Sequence, residues 1–325
     1  MKEVSTAGKP LTAFHLKMAA LITMVIDHTA AALTLSRGVD TLMRSIGRMA
    51  FPIYAFFIAE GCRYTRSRER YMLRLGLFGL ISQFPFVFAF YGWAWEPERW
   101  WYNLLIPGNV FYTMFLAVAC IHIWETLRRR SRRVQLAAAG TFAGCFALWA
   151  YTLFFITGSP WPFIITSLAY FVGFLTACHF LGRRAEEEKT PDWLANILSA
   201  LPILPFFLLA EVLSLDYEGE GLALILILYL LKDRRMQMLA LAGWIFLEYG
   251  WEGGLGLKSA GYNSQVVGWE NILTVEAFLP LCFALAAVLL IWLYNGRRGK
   301  DVKWAFYASY PVHIAILAVL AALGL

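Results

Sequence analysis

The chain has 325 residues, is strongly apolar and carries few charges. Hydrophobic side chains make up 60% of it and charged ones 15%, and the mean hydropathy is +0.59. This composition excludes an ordinary soluble domain, in which about a quarter of the residues are charged. The formal charge of +6 gathers in short runs between apolar segments, so no continuous basic patch indicates a nucleic-acid partner. We therefore expect an integral membrane protein in the lipid bilayer, with no bound nucleic acid.

Eleven apolar segments are predicted to cross the membrane as helices, since about 20 apolar residues span roughly 30 Å of hydrocarbon. Two of these segments, 221–231 and 236–251, are short, so the expected count is ten or eleven. No linker or repeat interrupts the series, which predicts a single all-α domain over residues 1–325. The segments are 16–35, 45–62, 75–92, 109–126, 135–157, 161–181, 193–213, 221–231, 236–251, 272–294 and 304–324.

Basic residues occur in every second loop between these segments. With the amino terminus, those loops hold all but five of the 28 lysines and arginines. By the positive-inside rule, the amino terminus is predicted to be cytoplasmic and the carboxyl terminus external. The five exceptions are Arg37, Arg44, Arg48, Arg99 and Lys258.

The first span carries ionisable side chains, which are costly inside a membrane and therefore indicate function. Asp27 and His28 lie next to each other in the sequence, and Lys17 lies eleven residues before His28. Eleven residues of helix make three turns plus about 20°, so Lys17 and His28 share one face at depths about 16 Å apart. A cation near one membrane edge and a base about half-way across suit a reaction whose donor enters from one side.

The second and last spans also carry ionisable groups. Arg48 lies within the second span and needs an anionic partner, for which Asp27 is the nearest choice; Glu60 lies at the other end of that span. The Arg48–Asp27 pair either joins two helices or helps to set the tautomer and basicity of His28. In the last span, His313 follows Tyr310 by one turn and is a second candidate base, the alternative being a buried histidine that bonds between helices. The five cysteines lack metal-ligand spacing, so no metal site is predicted.

Several motifs in order resemble those of the TraX family. They are Asp27-His28, Gly47-Arg48-x-Ala-Phe51-Pro52, Glu60-Gly61, Tyr71-x-x-Arg74-Leu75, Ser82-x-x-Pro85-Phe86, Gly108-Asn109, Leu215-Asp216-Tyr217 and Tyr310-Pro311-x-His313. The family is similar to a wider group of multi-span acyltransferases that includes heparan-alpha-glucosaminide N-acetyltransferase. A sugar-O-acetylating branch of that group has Arg, ten residues and then His in its first span, where this chain has Lys17 and His28.

The resemblance implies a bacterial inner-membrane acetyltransferase that takes its acyl group from cytosolic acetyl-CoA, with N-acetylation favoured over O-acetylation. The coenzyme A phosphates would lie against a basic cluster at the cytoplasmic mouth. His28 would act as general base with Asp27 orienting it, and Asn109 and Tyr310 would donate hydrogen bonds to the oxyanion. The residues assigned to coenzyme A in this scheme are Lys17, Arg66, Arg70 and Arg74.

The acceptor is expected to be an amine or hydroxyl at the external face, on a small molecule, a glycan or a pilin-like protein. Asp216, Tyr217 and Glu60 are the residues assigned to it, although an acidic turn at a span end is also typical of solvated loops. Two other classes of function stay open. A proton-coupled transporter would place the same residues within its spans as a relay, and a membrane scaffold would need no buried base.

Overall fold

The computed structural model describes residues 9–91, 108–130, 132–141, 191–252 and 275–324, and their regular structure is helical. Eleven α-helices are named here: α1 Ala13–Ala32, α2 Arg37–Gly47, α3 Ala50–Tyr64, α4 Arg68–Tyr91, α5 Val110–Leu127, α6 Asp192–Ala200, α7 Leu204–Val212, α8 Glu218–Leu230, α9 Arg234–Ile245, α10 Val275–Trp292 and α11 Lys303–Ala322. Residues 132–141 are also helical, Leu201–Ile203 form a 3₁₀ turn, and Phe246–Glu252 form a π-helix that continues α9.

Five helical stretches in the described part of the chain are long and apolar enough to cross a membrane, which confirms the predicted all-α membrane protein. They are Arg37–Tyr64, Arg68–Tyr91, Val110–Leu127, Trp193–Val212 and Lys303–Ala322. The predicted spans at 16–35, 221–231, 236–251 and 272–294 are helical as well, as α1, α8, α9 with its π-helix, and α10. The predicted span 161–181, and most of 135–157, lie outside the described residues.

Helix α3 lies at the centre of the bundle, in contact with α1, α5, α8 and α10. Its residues Ile53, Ala55, Phe56 and Ala59 are fully buried. A helix that is apolar on every side is typical of such a position, since it has no polar face to turn outward. The two helices that carry the predicted histidines, α1 and α11, pack against each other beside it.

Helices α1 and α11 begin at the same end of the bundle. Leu11 forms a bridge with Tyr294, and the Leu11 carbonyl accepts a hydrogen bond from the Asn295 amide at 2.9 Å. The ring of Phe14 then contacts that of Phe306, with centroids 6.2 Å apart. Because both helices run away from this end, the last helix finishes at the opposite end of the bundle from the start of the first.

The Arg63 side chain ties the end of α3 to the end of α8. Its guanidinium donates to the carbonyls of Leu228, Tyr229 and Leu231 at 2.6 to 2.8 Å, and to the Glu60 carboxylate at 2.7 Å. The last carbonyls of a helix have no partner within the helix, and a cation there also interacts favourably with the helix dipole. Arg63 thus has a structural role, joining α3 to α8.

Replacing Arg63 by alanine is expected to destabilise the protein by roughly 2–4 kcal/mol, because partly buried carbonyls and Glu60 lose a charged donor. Thermal unfolding in detergent measures the loss. Arg66→Ala is the control, because Arg66 lies only three residues after Arg63 in the chain and its side chain is exposed. Equal melting temperatures for the two variants would contradict the proposed capping role.

Candidate functional site

Two cavities lie at opposite ends of the helical bundle. The basic cavity, of about 850 Å³, is lined by residues from the starts of α1, α4 and α11 and from the end of α3. The His28 cavity, of about 830 Å³, is lined by residues from the end of α1, the start of α3, the end of α4 and the turn before α8. Met24, Tyr54 and Val110 line both cavities, so these three side chains mark where the two spaces meet.

The basic cavity carries an excess of positive charge. Among the described residues that line it, six are cationic and two are acidic. The cations are Lys17, Arg74, Arg234, Arg298, Lys300 and Lys303, and the acids are Glu60 and Asp301. Each guanidinium or ammonium can form a charge-assisted hydrogen bond, so several cations facing one space of this size are suited to an anion with more than one phosphate.

The predicted donor residues divide between this cavity and the surface. Lys17 and Arg74 line the cavity, and the Lys17 ammonium lies 5.0 Å from the centroid of the Phe57 ring. Arg66 and Arg70 are exposed and are not among its lining residues. Of the four residues predicted to bind coenzyme A, the structure therefore brings Lys17 and Arg74 to this cavity and not the other two, because the first turn of α4 and the loop before it hold those outside.

The sequence reasoning missed the contribution of the loop between α10 and α11, which brings Arg298 into the basic cavity. This loop is held by the segment before α1: the amides of Ala13 and Phe14 donate to the carbonyls of Arg297 and Arg298 at 2.9 and 3.0 Å. Gly299 takes a positive φ of 74° there, which favours glycine. The run of basic residues in this loop is apparent in the sequence, but its proximity to Lys17 is apparent only in the fold.

The His28 ring is held by the last helix. Its Nδ1 lies 2.7 Å from Nε2 of His313, and Nδ1 of His313 lies 2.7 Å from the carbonyl oxygen of Ser309. The rings of Phe90 and Tyr310 make T-shaped contacts with the His28 ring, with centroids 5.2 and 5.7 Å away. The structure thus brings both predicted histidines and Tyr310 together, although 285 residues separate His28 from His313 in the chain.

Asp27 faces two arginines. Its carboxylate accepts a hydrogen bond from Arg44 at 2.8 Å, and its other oxygen lies 3.8 Å from Arg48. The guanidinium of Arg48 also lies over the Tyr249 ring, 5.9 Å from its centroid. Arg44 is therefore the closer partner, and Asp27 joins α1 to α2 while His313 engages the neighbouring His28 ring.

Asn109 is fully occupied within the protein. Its Oδ1 accepts from the Phe111 amide at 3.0 Å and caps α5, and its Nδ2 donates to the Gly79 carbonyl at 2.9 Å and to Gln83 at 2.7 Å. A side-chain amide has two N–H donors, and both are used here. The structure therefore leaves Asn109 no side-chain N–H for the predicted oxyanion, and its hydrogen bonds join α4 to α5.

Tyr310 lies next to both histidines and carries a hydroxyl group. This hydroxyl is buried and makes no hydrogen bond of standard geometry within the described residues. The residue lines the basic cavity, while its ring contacts His28 and His313, with a centroid 5.6 Å from that of His313. The Val110 backbone lies close to this hydroxyl. A hydroxyl both donates and accepts, so one placed between a cavity and an imidazole can still donate to a ligand.

The turn before α8 lines the His28 cavity with a strained backbone. Ser214, Tyr217 and Glu218 have φ values of 43°, 63° and 37°, which non-glycine residues rarely adopt and which cluster at functional sites. The Tyr217 ring stacks on Phe51 with centroids 3.7 Å apart. In the same turn, outside the helices, burial and then the Asp27 charge raise the pKa of Asp216 to about 6.

The three residues predicted to bind the acceptor do not form one group. Asp216 and Tyr217 line the His28 cavity, and the Asp216 amide is fixed by a 3.0 Å hydrogen bond to the Gly108 carbonyl. Glu60 lines the basic cavity at the other end of the bundle and pairs with Arg63. The structure therefore does not bring Glu60 together with Asp216, because α3 carries Glu60 away from the turn that holds Asp216.

Comparison with known proteins places the chain in a family. The family model described as TraX protein matches residues 13–159 and 144–321. The chain is also similar to a protein of Dichelobacter nodosus described as "Probable fimbrial assembly protein FimC, serogroup H1", with 26% identity over 315 residues that cover 94% of each chain. No solved structure matches the chain. Because the family model matches most of its length, the chain belongs to the TraX family.

Proposed function

We propose that the protein is a membrane acyltransferase that moves an acetyl group from acetyl-CoA in the basic cavity to an acceptor in the His28 cavity. One observation carries the proposal: a cation-lined cavity and an imidazole-lined cavity enter from opposite ends of the bundle and meet at Met24, Tyr54 and Val110. A donor and an acceptor that enter from opposite ends can therefore bring their reacting atoms to the same place.

The described lining of the basic cavity fits coenzyme A. That molecule carries a pyrophosphate and a ribose phosphate at one end and a long, uncharged arm at the other. Arg74 and Arg298 can grip phosphate oxygens with two parallel N–H donors each, and Lys17 supplies a point charge. The arm would then follow α1 past Phe57 and Met24 toward His28.

In the proposed step the nitrogen of the acceptor amine attacks the thioester carbonyl, and His28 takes a proton from that amine. The tetrahedral intermediate then expels the coenzyme A sulfur, and the protonated His28 returns its proton to that sulfur. General base catalysis of this kind contributes about 10²- to 10⁴-fold. Tyr310, which lines the basic cavity and contacts the His28 ring, supplies the hydroxyl that we assign as donor to the oxyanion.

The positive-inside rule supports an orientation with the basic cavity toward the cytosol of a bacterial inner membrane, the amino terminus cytoplasmic and the carboxyl terminus external. The His28 cavity would then receive its acceptor from the other side. The name of the Dichelobacter nodosus relative, a probable fimbrial assembly protein, supports a pilin-like acceptor. The carboxylate of Asp216 would attract the terminal amine of such a protein.

Calorimetric titration of acetyl-CoA into the protein in nanodiscs tests the donor site. We expect Lys17→Ala and Arg298→Ala each to raise Kd about tenfold or more, since a hydrogen bond to a charged group is worth roughly 1.5–3 kcal/mol. Arg66→Ala is the matched control, because it removes an exposed arginine outside the cavity. Absence of binding to the wild type would sink the acyltransferase proposal and favour a transporter or a scaffold.

The acceptor can be found by mass spectrometry of membrane peptides and glycans from deletion and wild-type cells. We expect an acetyl group that is present in the wild type and missing in the deletion strain. Its position on an amino-terminal amine would identify a protein acceptor, and its position on a sugar would exclude the pilin-like one.

A further inference from the structure

We infer that His313 is a positioning residue that holds neutral His28 as the tautomer with its proton on Nδ1, leaving Nε2 of His28 as the basic nitrogen. The catalytic consequence rests on the proposed function. The hydrogen-bond chain that leads to it stands on the geometry of α1 and α11 alone.

The chain of hydrogen bonds begins at a group whose role is fixed. The Ser309 carbonyl oxygen can only accept, so Nδ1 of His313, at 2.7 Å, must carry a proton. A neutral imidazole has one N–H, which leaves Nε2 of His313 as an acceptor. The neighbour of that acceptor is Nδ1 of His28, also at 2.7 Å, which therefore carries the next proton.

The geometry of the two rings supports a true hydrogen bond between them. Their planes differ by only 14°, and their centroids are 5.1 Å apart. That separation equals the 2.7 Å contact plus one ring radius on each side, so the nitrogens lie on the line that joins the ring centres. The rings of His28 and His313 are thus nearly coplanar and meet edge to edge, which is the direction of the N–H and of the lone pair.

This hydrogen bond leaves Nε2 of His28 without a proton, so Nε2 is the basic nitrogen of the ring. In water a neutral histidine side chain favours the proton on Nε2, which would leave the wrong nitrogen free for proton removal at this position. The hydrogen bond at one ring nitrogen decides which tautomer is present. The neighbouring rings of Phe90 and Tyr310 hinder a ring flip, so the bond to His313 fixes both orientation and tautomer.

Nitrogen NMR of histidine-labelled protein in nanodiscs reads the tautomer directly, whether or not the protein acts as an enzyme. The His28 signals are assigned by their loss in His28→Ala. We expect a protonated Nδ1 and an unprotonated Nε2 in the wild type, and a shift toward the Nε2-protonated form in His313→Ala. A wild-type His28 with its proton on Nε2 overturns the inference.

Acetyl transfer gives the second readout. We expect His313→Ala to lower kcat about 10²-fold or more with Kd for acetyl-CoA unchanged, since a catalytic histidine in the wrong tautomer loses most of its activity. His313→Gln offers an amide oxygen to the His28 N–H and is expected to recover at least tenfold of that loss. If His313→Ala fails to fold, the kcat of His313→Gln tests the inference in its place.

The control variant is His122→Gln, which changes a histidine of α5 outside both cavities. It is expected to keep both the His28 tautomer and kcat. An unchanged kcat in His313→Ala would overturn the inference. A wild type without any acetyl transfer would instead reject the proposed function, and the NMR signals would still decide the tautomer.

Discussion

His28→Ala is expected to lower kcat for acetyl transfer by about 10²- to 10⁴-fold, because the acceptor amine loses its general base. Binding of acetyl-CoA should change little. His28 lines the cavity at one end of the bundle, whereas Lys17, Arg74 and Arg298 line the other. This separation predicts a variant that is deficient in chemistry and competent in donor binding.

The measurement is transfer from labelled acetyl-CoA to a peptide with a free amino terminus, followed at saturating donor and paired with calorimetry on the same preparation. His122→Gln is the control for the loss of an imidazole elsewhere in the bundle. Full activity in His28→Ala would remove His28 from the chemistry. A parallel loss of donor binding would instead show that the two cavities do not work as separate sites.

The part of the site that lies within one helix can be predicted from sequence. Lys17 and His28 share a face of α1 because helix geometry alone sets their angle and their rise. The structure has one of them in each cavity. The expectation that Arg48 and Asp27 are close likewise needs only a short connection between neighbouring helices.

Contacts between distant helices could not be predicted in the same way. The His28–His313 bond joins the first helix to the last, and it depends on how α1 crosses α11. Arg298 reaches the basic cavity because the segment around Leu11 pairs with Tyr294. Local periodicity says which face of a helix is apolar, but not which of several apolar helices covers it.

The sequence also could not show which of several neighbouring arginines has which role. Arg63 caps α8, Arg66 and Arg70 are exposed, and Arg74 lines the basic cavity. Asn109 shows the same difficulty, since a polar side chain at a helix start serves equally well as a cap or as a ligand donor. Only its partners Gly79 and Gln83 decide between these roles.

Gly47→Ala is expected to destabilise the protein by roughly 3–5 kcal/mol, since it both overpacks the contact of α1 with α2 and breaks a partly buried ion pair. A Cβ at Gly47 would overlap the Cβ of Asp27 and lie 2.5 Å from its Cγ. The two helices must move apart, or Asp27 must leave Arg44. Either change also disturbs the segment of α1 that carries His28.

Gly38→Ala in the same helix is the matched control, because Gly38 is exposed and a Cβ there has no atom within 4 Å. The greater helix propensity of alanine should stabilise α2 by up to about 0.5–1 kcal/mol, the full value applying to the middle of a helix and Gly38 lying in the first turn. The melting temperature in detergent should therefore fall for Gly47→Ala and rise for Gly38→Ala. If both melt alike, close packing at Gly47 does not hold α1 in place. If Gly47→Ala alone also loses acetyl transfer, the contact that holds the helices together also holds His28 in its working position.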